Sequence, residues 1–166
     1  EFVKEFTHDK PGLEVTKYEL INLDNLDEVL TESMDVSIED HVEEAGNLVY
    51  FTPLLFERTK ENLFKHEERK FPVDFAYPFR ENYKILLKFP EEYEIDQLPK
   101  GGVYKLPEDK GNFTISFVTE NNSLLVKSVI NINKAFYTPE DYFNLKELFK
   151  IIVEKQAEKI VFKKKA

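Results

Sequence analysis

Three histidines, His8, His41 and His66, and a dense set of carboxylates are the first candidates for chemistry in this chain. The histidines lie far apart, and none belongs to a His-x3-His or similar ligand pair, so solvated or packed side chains are expected rather than a zinc centre. With zero Cys there is no disulfide framework, no cysteine zinc site and no thiolate nucleophile. Ser123 and Ser128 have no His near them in sequence, and no Gly-x-Ser-x-Gly elbow occurs. Gly101-Gly102 is the only Gly pair and lacks the further glycines and Lys-Ser/Thr of a phosphate cradle, so it reads as a turn. No enzyme and no cofactor is expected on these grounds.

The carboxylates admit two readings. Asp24, Asp27, Glu28, Glu32, Asp35, Glu39, Asp40, Glu43 and Glu44 share one stretch that contains no Lys or Arg. Asp24, Asp27 and Glu28 are candidate calcium ligands, because hard cations take carboxylate and carbonyl oxygens. No EF-hand spacing supports them, and the simpler reading is a solvated strand face with an acidic turn. Glycoside hydrolysis requires two carboxylates at a fixed separation, which abundance alone does not supply. Phe75, Tyr77 and Phe79 alternate, as either a sugar-stacking platform or the inner face of a sheet; the chain has no Trp for the former.

The elements that must position these residues fit one ordinary domain of 166 residues, read here as a single β-sandwich over 1–166. Hydrophobic residues make up 42% and charged residues 33%, a globular and somewhat charged balance. Residues 1–69 carry 18 Asp or Glu against 7 Lys or Arg, and the remainder 14 against 16. A net charge of −9 speaks against general nucleic-acid binding, which needs a basic surface. No run of about 18 apolar residues is present, so no membrane insertion is expected. The opening Glu1-Phe2-Val3-Lys4-Glu5-Phe6 has neither an initiator Met nor a leader pattern, which suggests a piece of a larger chain.

Period-two alternation dominates. Met34, Val36 and Ile38 face one way; Tyr83, Ile85, Leu87 and Phe89 alternate with Lys84 and Lys88. Phe113, Ile115 and Phe117 lead through an Asn121-Asn122 turn into Leu124, Val126, Ser128, Ile130 and Ile132, a hairpin. Further strands are expected near 15–23, 48–52, 70–76 and 103–106, and a short helix near 60–65. Thr138-Pro139-Glu140-Asp141 reads as a helix start, followed by Leu145, Leu148, Phe149, Ile152 and Gln156 in one stripe. Ile160-Val161-Phe162 then forms a final strand, with Lys163-Lys164-Lys165 as a charged edge. The fold expected is mainly β, an antiparallel sandwich of the fibronectin or immunoglobulin kind with one C-terminal helix.

Several phrases occur in a recognisable order: Asn62-Leu63-Phe64, Arg69-Lys70-Phe71-Pro72-Val73-Asp74-Phe75, Pro90-Glu91-Glu92-Tyr93-Glu94-Ile95-Asp96-Gln97-Leu98-Pro99, Tyr142-Phe143-Asn144-Leu145-Lys146-Glu147-Leu148-Phe149 and Ile160-Val161-Phe162-Lys163-Lys164. In this order they resemble the C-terminal domain of unknown function of multi-domain transglutaminase-like proteins of Gram-negative bacteria, most strongly over 62–164. Where that family often has Gly before the Tyr, this chain has Glu92. The resemblance implies a papain-like core elsewhere in the parent chain. The catalytic Cys, His and Asp belong to that core, so no catalytic residue carries over.

The resemblance further implies a periplasmic or extracellular, non-catalytic accessory domain with adjacent domains of the same chain as partners. A protein partner is expected at the acidic face. Arg69, Pro72 and Asp74 form a structural or interaction motif, with Pro72 fixing the start of a strand. Phe2 and Phe6 are expected to contact a neighbouring domain. The alternative readings are a stand-alone carbohydrate-binding module or a calcium-stabilised structural domain.

Overall fold

In a computed structural model, which describes residues 2–55 and 57–165 and only the backbone at Phe2, the chain divides into two units, Glu1–His41 and Val42–Ala166. The first unit holds 12 Asp or Glu against 3 Lys, so it carries the whole net charge of the protein. It consists of a short helix α1 (Phe2–Thr7) and the strands β1 (Leu13–Ile21) and β2 (Thr31–Ile38). These strands pair antiparallel, from Leu13 opposite Ile38 to Ile21 opposite Thr31. Met34 and Ile38 are half-buried, while Leu26, in the connecting loop, is 98% exposed.

The second unit runs β3 (Val42–Ala45), β4 (Leu48–Phe51), β5 (Val73–Asp74), β6 (Phe79–Lys88), β7 (Tyr93–Gln97), β8 (Gly102–Lys105), β9 (Gly111–Glu120), β10 (Ser123–Ile132), β11 (Phe136–Tyr137), α2 (Tyr142–Ala157) and β12 (Ile160–Lys164). Two four-stranded antiparallel sheets result, in the orders β6-β10-β9-β8 and β3-β4-β12-β7, with β5 and β11 as a separate pair. The hairpin read from alternation is β9–β10, and Asn121 makes its turn at φ 49°. Asn tolerates that left-handed conformation better than most residues. Gly46 does the same for β3–β4 at φ 64°.

Strand parity sends one face of the β9–β10 hairpin inward, as far as Phe117 on β9 and from Leu124 to Ile132 on β10. Toward one end, Phe113, Ile115, Ile130 and Ile132 meet Leu145, Leu148, Phe149 and Ile152 of α2. Toward the other, Leu124 and Val126 meet Ile160 and Phe162 of the second sheet, joined by Ile85, Leu87, Val49 and Phe51. The architecture is therefore a sandwich over one half of the large sheet and a helix over the other. Between these two cores lies a buried polar pair: Gln156 Nε2–H donates to Ser128 Oγ at 3.1 Å. Gln156 Oε1 in turn accepts the Thr59 N–H at 2.7 Å.

Several expectations are corrected. The helix begins at Tyr142 rather than near Thr138. Thr138 to Asp141 instead close a turn, in which Asp141 Oδ2 accepts the Thr138 N–H at 3.1 Å and the Tyr142 N–H donates to Pro139 O. No helix forms over 60–65: Asn62 Oδ1 takes the Phe64 N–H and its Nδ2 donates to Lys146 O, a local alternative to helical bonding. The strand expected at 70–76 shrinks to Val73–Asp74. Gly101-Gly102 is the entry to β8 rather than a turn; a Cβ on Gly101 would lie 2.7 Å from Ile115 O. Lys163 and Lys164 end an interior strand, not an edge, because β12 sits between β4 and β7. Strands β3 and β11 lack clean alternation and emerge only from pairing, while β7 alternates over Tyr93–Asp96 and is a further strand that the sequence reading did not include. The Pro90–Tyr93 turn closes without glycine, with the Tyr93 N–H donating to Pro90 O at 3.1 Å. Among the described residues no helix is long and apolar enough to cross a membrane.

Candidate functional site

An opening in the second unit lies between its two sheets, beside the strand edges of β3 and β6. Both strands are terminal in their sheets: among the described residues β6 pairs only with β10, and β3 only with β4. The slot has a volume of about 300 Å³ and a mostly apolar lining. Val49, Phe51 and Phe162 come from the second sheet, Leu87 from the first, Phe89 from just past the end of β6, and Tyr93 and Pro90 close one end. Val42, 47% exposed, and the residues Glu44 and Lys88 stand at its rim. That size is at the lower limit of ordinary ligand pockets and suits one or two apolar side chains.

Local sequence explains why this slot is open. The parity of β6 turns Ile85 and Leu87 inward, yet β3 is only four residues long and every one of them is exposed. The second sheet thus ends without a bulky strand to cover its apolar side. Glu43 is held by Lys159 Nζ at 2.6 Å, which ties β3 to the segment between α2 and β12. Further along the inner face of β6, burial and then the carboxylates of Glu81 and Glu57 push the Tyr83 phenol up, so it stays a protonated donor at neutral pH.

The residues singled out from sequence do not meet at this slot. Asp24, Asp27 and Glu28 sit in the exposed β1–β2 loop, where Asn25 Oδ1 accepts the Asp27 N–H at 3.2 Å. Among the described residues no group of three His, Asp or Glu side chains converges as a ligand set. Phe75 and Phe79 are half-buried in the aromatic core beside Phe64, Tyr137 and Phe149, while Tyr77 is 68% exposed. A platform of three exposed rings is therefore not formed: Ala76, at φ 64°, interrupts the alternation.

Arg69 lies with its guanidinium 6.0 Å from the Tyr142 ring centre. Asp74 Oδ1 accepts the Ala76 N–H at 2.7 Å, so the carboxylate serves its own turn. Pro72 is exposed and directly precedes β5. Phe6 is half-buried, with Lys10 Nζ 3.8 Å from its ring centre and donating to its carbonyl at 2.7 Å. The side chain of Phe2 lies outside the described residues. Sequence reading missed the slot, since its lining comes from five strands; the apolar, alternating β6 followed by Phe89-Pro90 was the visible part of it.

Fold and slot together define an antiparallel β-sandwich with a packed C-terminal helix and one open flank. Residues 47–162 match the family described as a domain of unknown function with solved structure, DUF3858, and the chain belongs to this family. Comparison with curated proteins found no match. Among solved structures, the fold is similar to that of a protein from Parabacteroides distasonis described as a "putative protease", with a TM-score of 0.51 and 18% identity. The similarity covers 59% of this chain and 19% of that one, so the chain spans about a fifth of its relative's length.

Proposed function

We propose that this chain is a non-catalytic accessory domain of a periplasmic or secreted, transglutaminase-like bacterial protein, with a structural, partner-binding or substrate-positioning role. One observation carries this reading: the same fold recurs as 19% of a much longer protein, while this chain itself has zero Cys for papain-type chemistry. The ordered phrases from Asn62 to Lys164 supply the transglutaminase-like context by resemblance, and they lie almost wholly within the matched residues. The slot supports a docking role, being an apolar space of about 300 Å³ bordered by two strand edges.

The test is the intact mass of the native polypeptide, captured from fractions of the source cells with an antibody against this segment. The expected result is a much longer chain that contains a Cys-bearing core and is found outside the cytoplasm. A native chain near 19.6 kDa would overturn the reading.

A further inference from the structure

We infer that the free edge of β6 is a docking site for an extended segment of a partner polypeptide in which acidic and apolar residues alternate. The strand register carries this. Arg80, Lys84 and Lys88 all point to the outer face of the sheet, and Lys127, opposite Lys84, adds a further cation there. None of the four has an ion pair among the described residues. On the inner face of the same strand, Ile85 and Leu87 lead to the open slot beside Phe51. Among the described residues, the backbone groups on the far side of β6 have no neighbouring strand.

A strand added at that edge continues the pleat, so its side chains alternate between the two faces of the sheet. Those on the outer face stand beside Arg80, Lys84 and Lys88, where carboxylates are favoured and cations repelled. Those on the inner face enter an apolar space of about 300 Å³ that this chain leaves unfilled. Lysines on an edge strand also prevent edge-to-edge aggregation, and that role is compatible here: the same charges reject a basic or identical edge and accept an acidic one. The outer row between Lys84 and Lys88 is aliphatic (Leu86, Leu125 and Val118) and the row between Arg80 and Lys84 holds Asn82, Val129 and Thr114, so neither offers a ring to stack on a nucleic-acid base. The inference deepens the partner-binding part of the accessory-domain reading and rests on it. Its test is independent, since a peptide can fail to bind although the parent chain is long, and the reverse.

The experiment titrates the full chain with a blocked peptide alternating Glu and Val, followed by amide NMR shifts, and with a counterpart alternating Lys and Val. Saturable binding of the Glu peptide is expected, with shifts confined to β6 and the slot and affinity that falls as salt rises. The double variant Lys84→Glu, Lys88→Glu should lose about tenfold or more in affinity for the Glu peptide and gain affinity for the Lys peptide. Lys84→Gln with Lys88→Gln, which removes charge without adding repulsion, should lose less. Absence of saturation up to about 1 mM overturns the proposal. Equal binding of both peptides, or shifts centred away from β6, overturns it as well. Both positions are exposed, so unchanged melting of the variants is the folding control.

Discussion

Gln156 of α2 and Ser128 of β10 are hydrogen-bonded at 3.1 Å in the interior, each only 1% exposed, at the seam between the helix-covered and sheet-covered halves of the core. One glutamine side chain thus joins three parts of the second unit: the helix, the central strand and, through the Thr59 N–H, the loop after β4. Buried polar groups hold their place only while paired, so this contact specifies how the helix seats on the sheet.

Replacing Gln156 by Leu keeps the bulk but leaves the Ser128 hydroxyl and the Thr59 N–H without partners. A loss of about 2–4 kcal/mol is expected, read from chemical denaturation. Adding Ser128→Ala to that variant should recover part of the loss, because one orphaned group is removed. Equal and additive penalties in the double variant would show that the pair is not coupled.

Asp141 gives a pH signature. Its carboxylate lies 2.7 Å from Lys110 Nζ and is 16% exposed. That hydrogen bond, first, holds its pKa below the usual Asp value, and the bond from the Thr138 N–H adds to it. A carboxylate lowered in the folded state stabilises above its unfolded pKa and loses that contribution as pH falls through the folded value. Melting temperature should therefore drop as pH falls below about 4, and Asp141→Asn should flatten that part of the profile. At neutral pH the variant should be about 1–2 kcal/mol less stable.

Ala76 occupies φ 64°, a left-handed conformation that its Cβ disfavours. Ala76→Gly should raise stability by about 0.5–1 kcal/mol, since the removed strain exceeds the added chain entropy. Asp74→Ala should act oppositely by releasing the 2.7 Å bond to the Ala76 N–H. Thermal melts of the two single variants check both signs.

Arg69 is a modest contributor. Its guanidinium over Tyr142 is exposed, and Arg69→Ala should lower stability by about 0.5–1 kcal/mol. Arg69→Met, which keeps the stem without the charge, should lose nearly as much. An unchanged melting temperature for the Ala variant would remove Arg69 from any structural role.

What was legible along the chain follows from short-range periodicity. Phe113, Ile115 and Phe117, and then Leu124, Val126, Ser128, Ile130 and Ile132, recur at every second position, and all of them are buried except Phe117, which is half-buried. The stripe from Leu145 to Gln156 is likewise the buried face of α2. The failures occur where local bonding competes with a weak pattern. Asp141 serves the Thr138 turn before the helix starts, and Asn62 diverts the segment at 60–65 into loop bonding. Lys163 and Lys164 were misplaced because a lysine at the end of a strand says nothing about which strands flank it.

Composition and alternation were enough to establish a mainly antiparallel β protein with one late helix and no cysteine chemistry. Those are properties of neighbouring residues and of residue counts, and they do not depend on how distant segments meet. Only the tertiary structure decided that β12 lies inside a sheet, that β3 and β6 are left as edges, and that Gln156 finds Ser128. It also decided that Val42, Phe51, Leu87 and Phe162 border one slot. Each of these joins residues tens of positions apart, and such pairing is selected by the summed burial of whole faces rather than by any local preference.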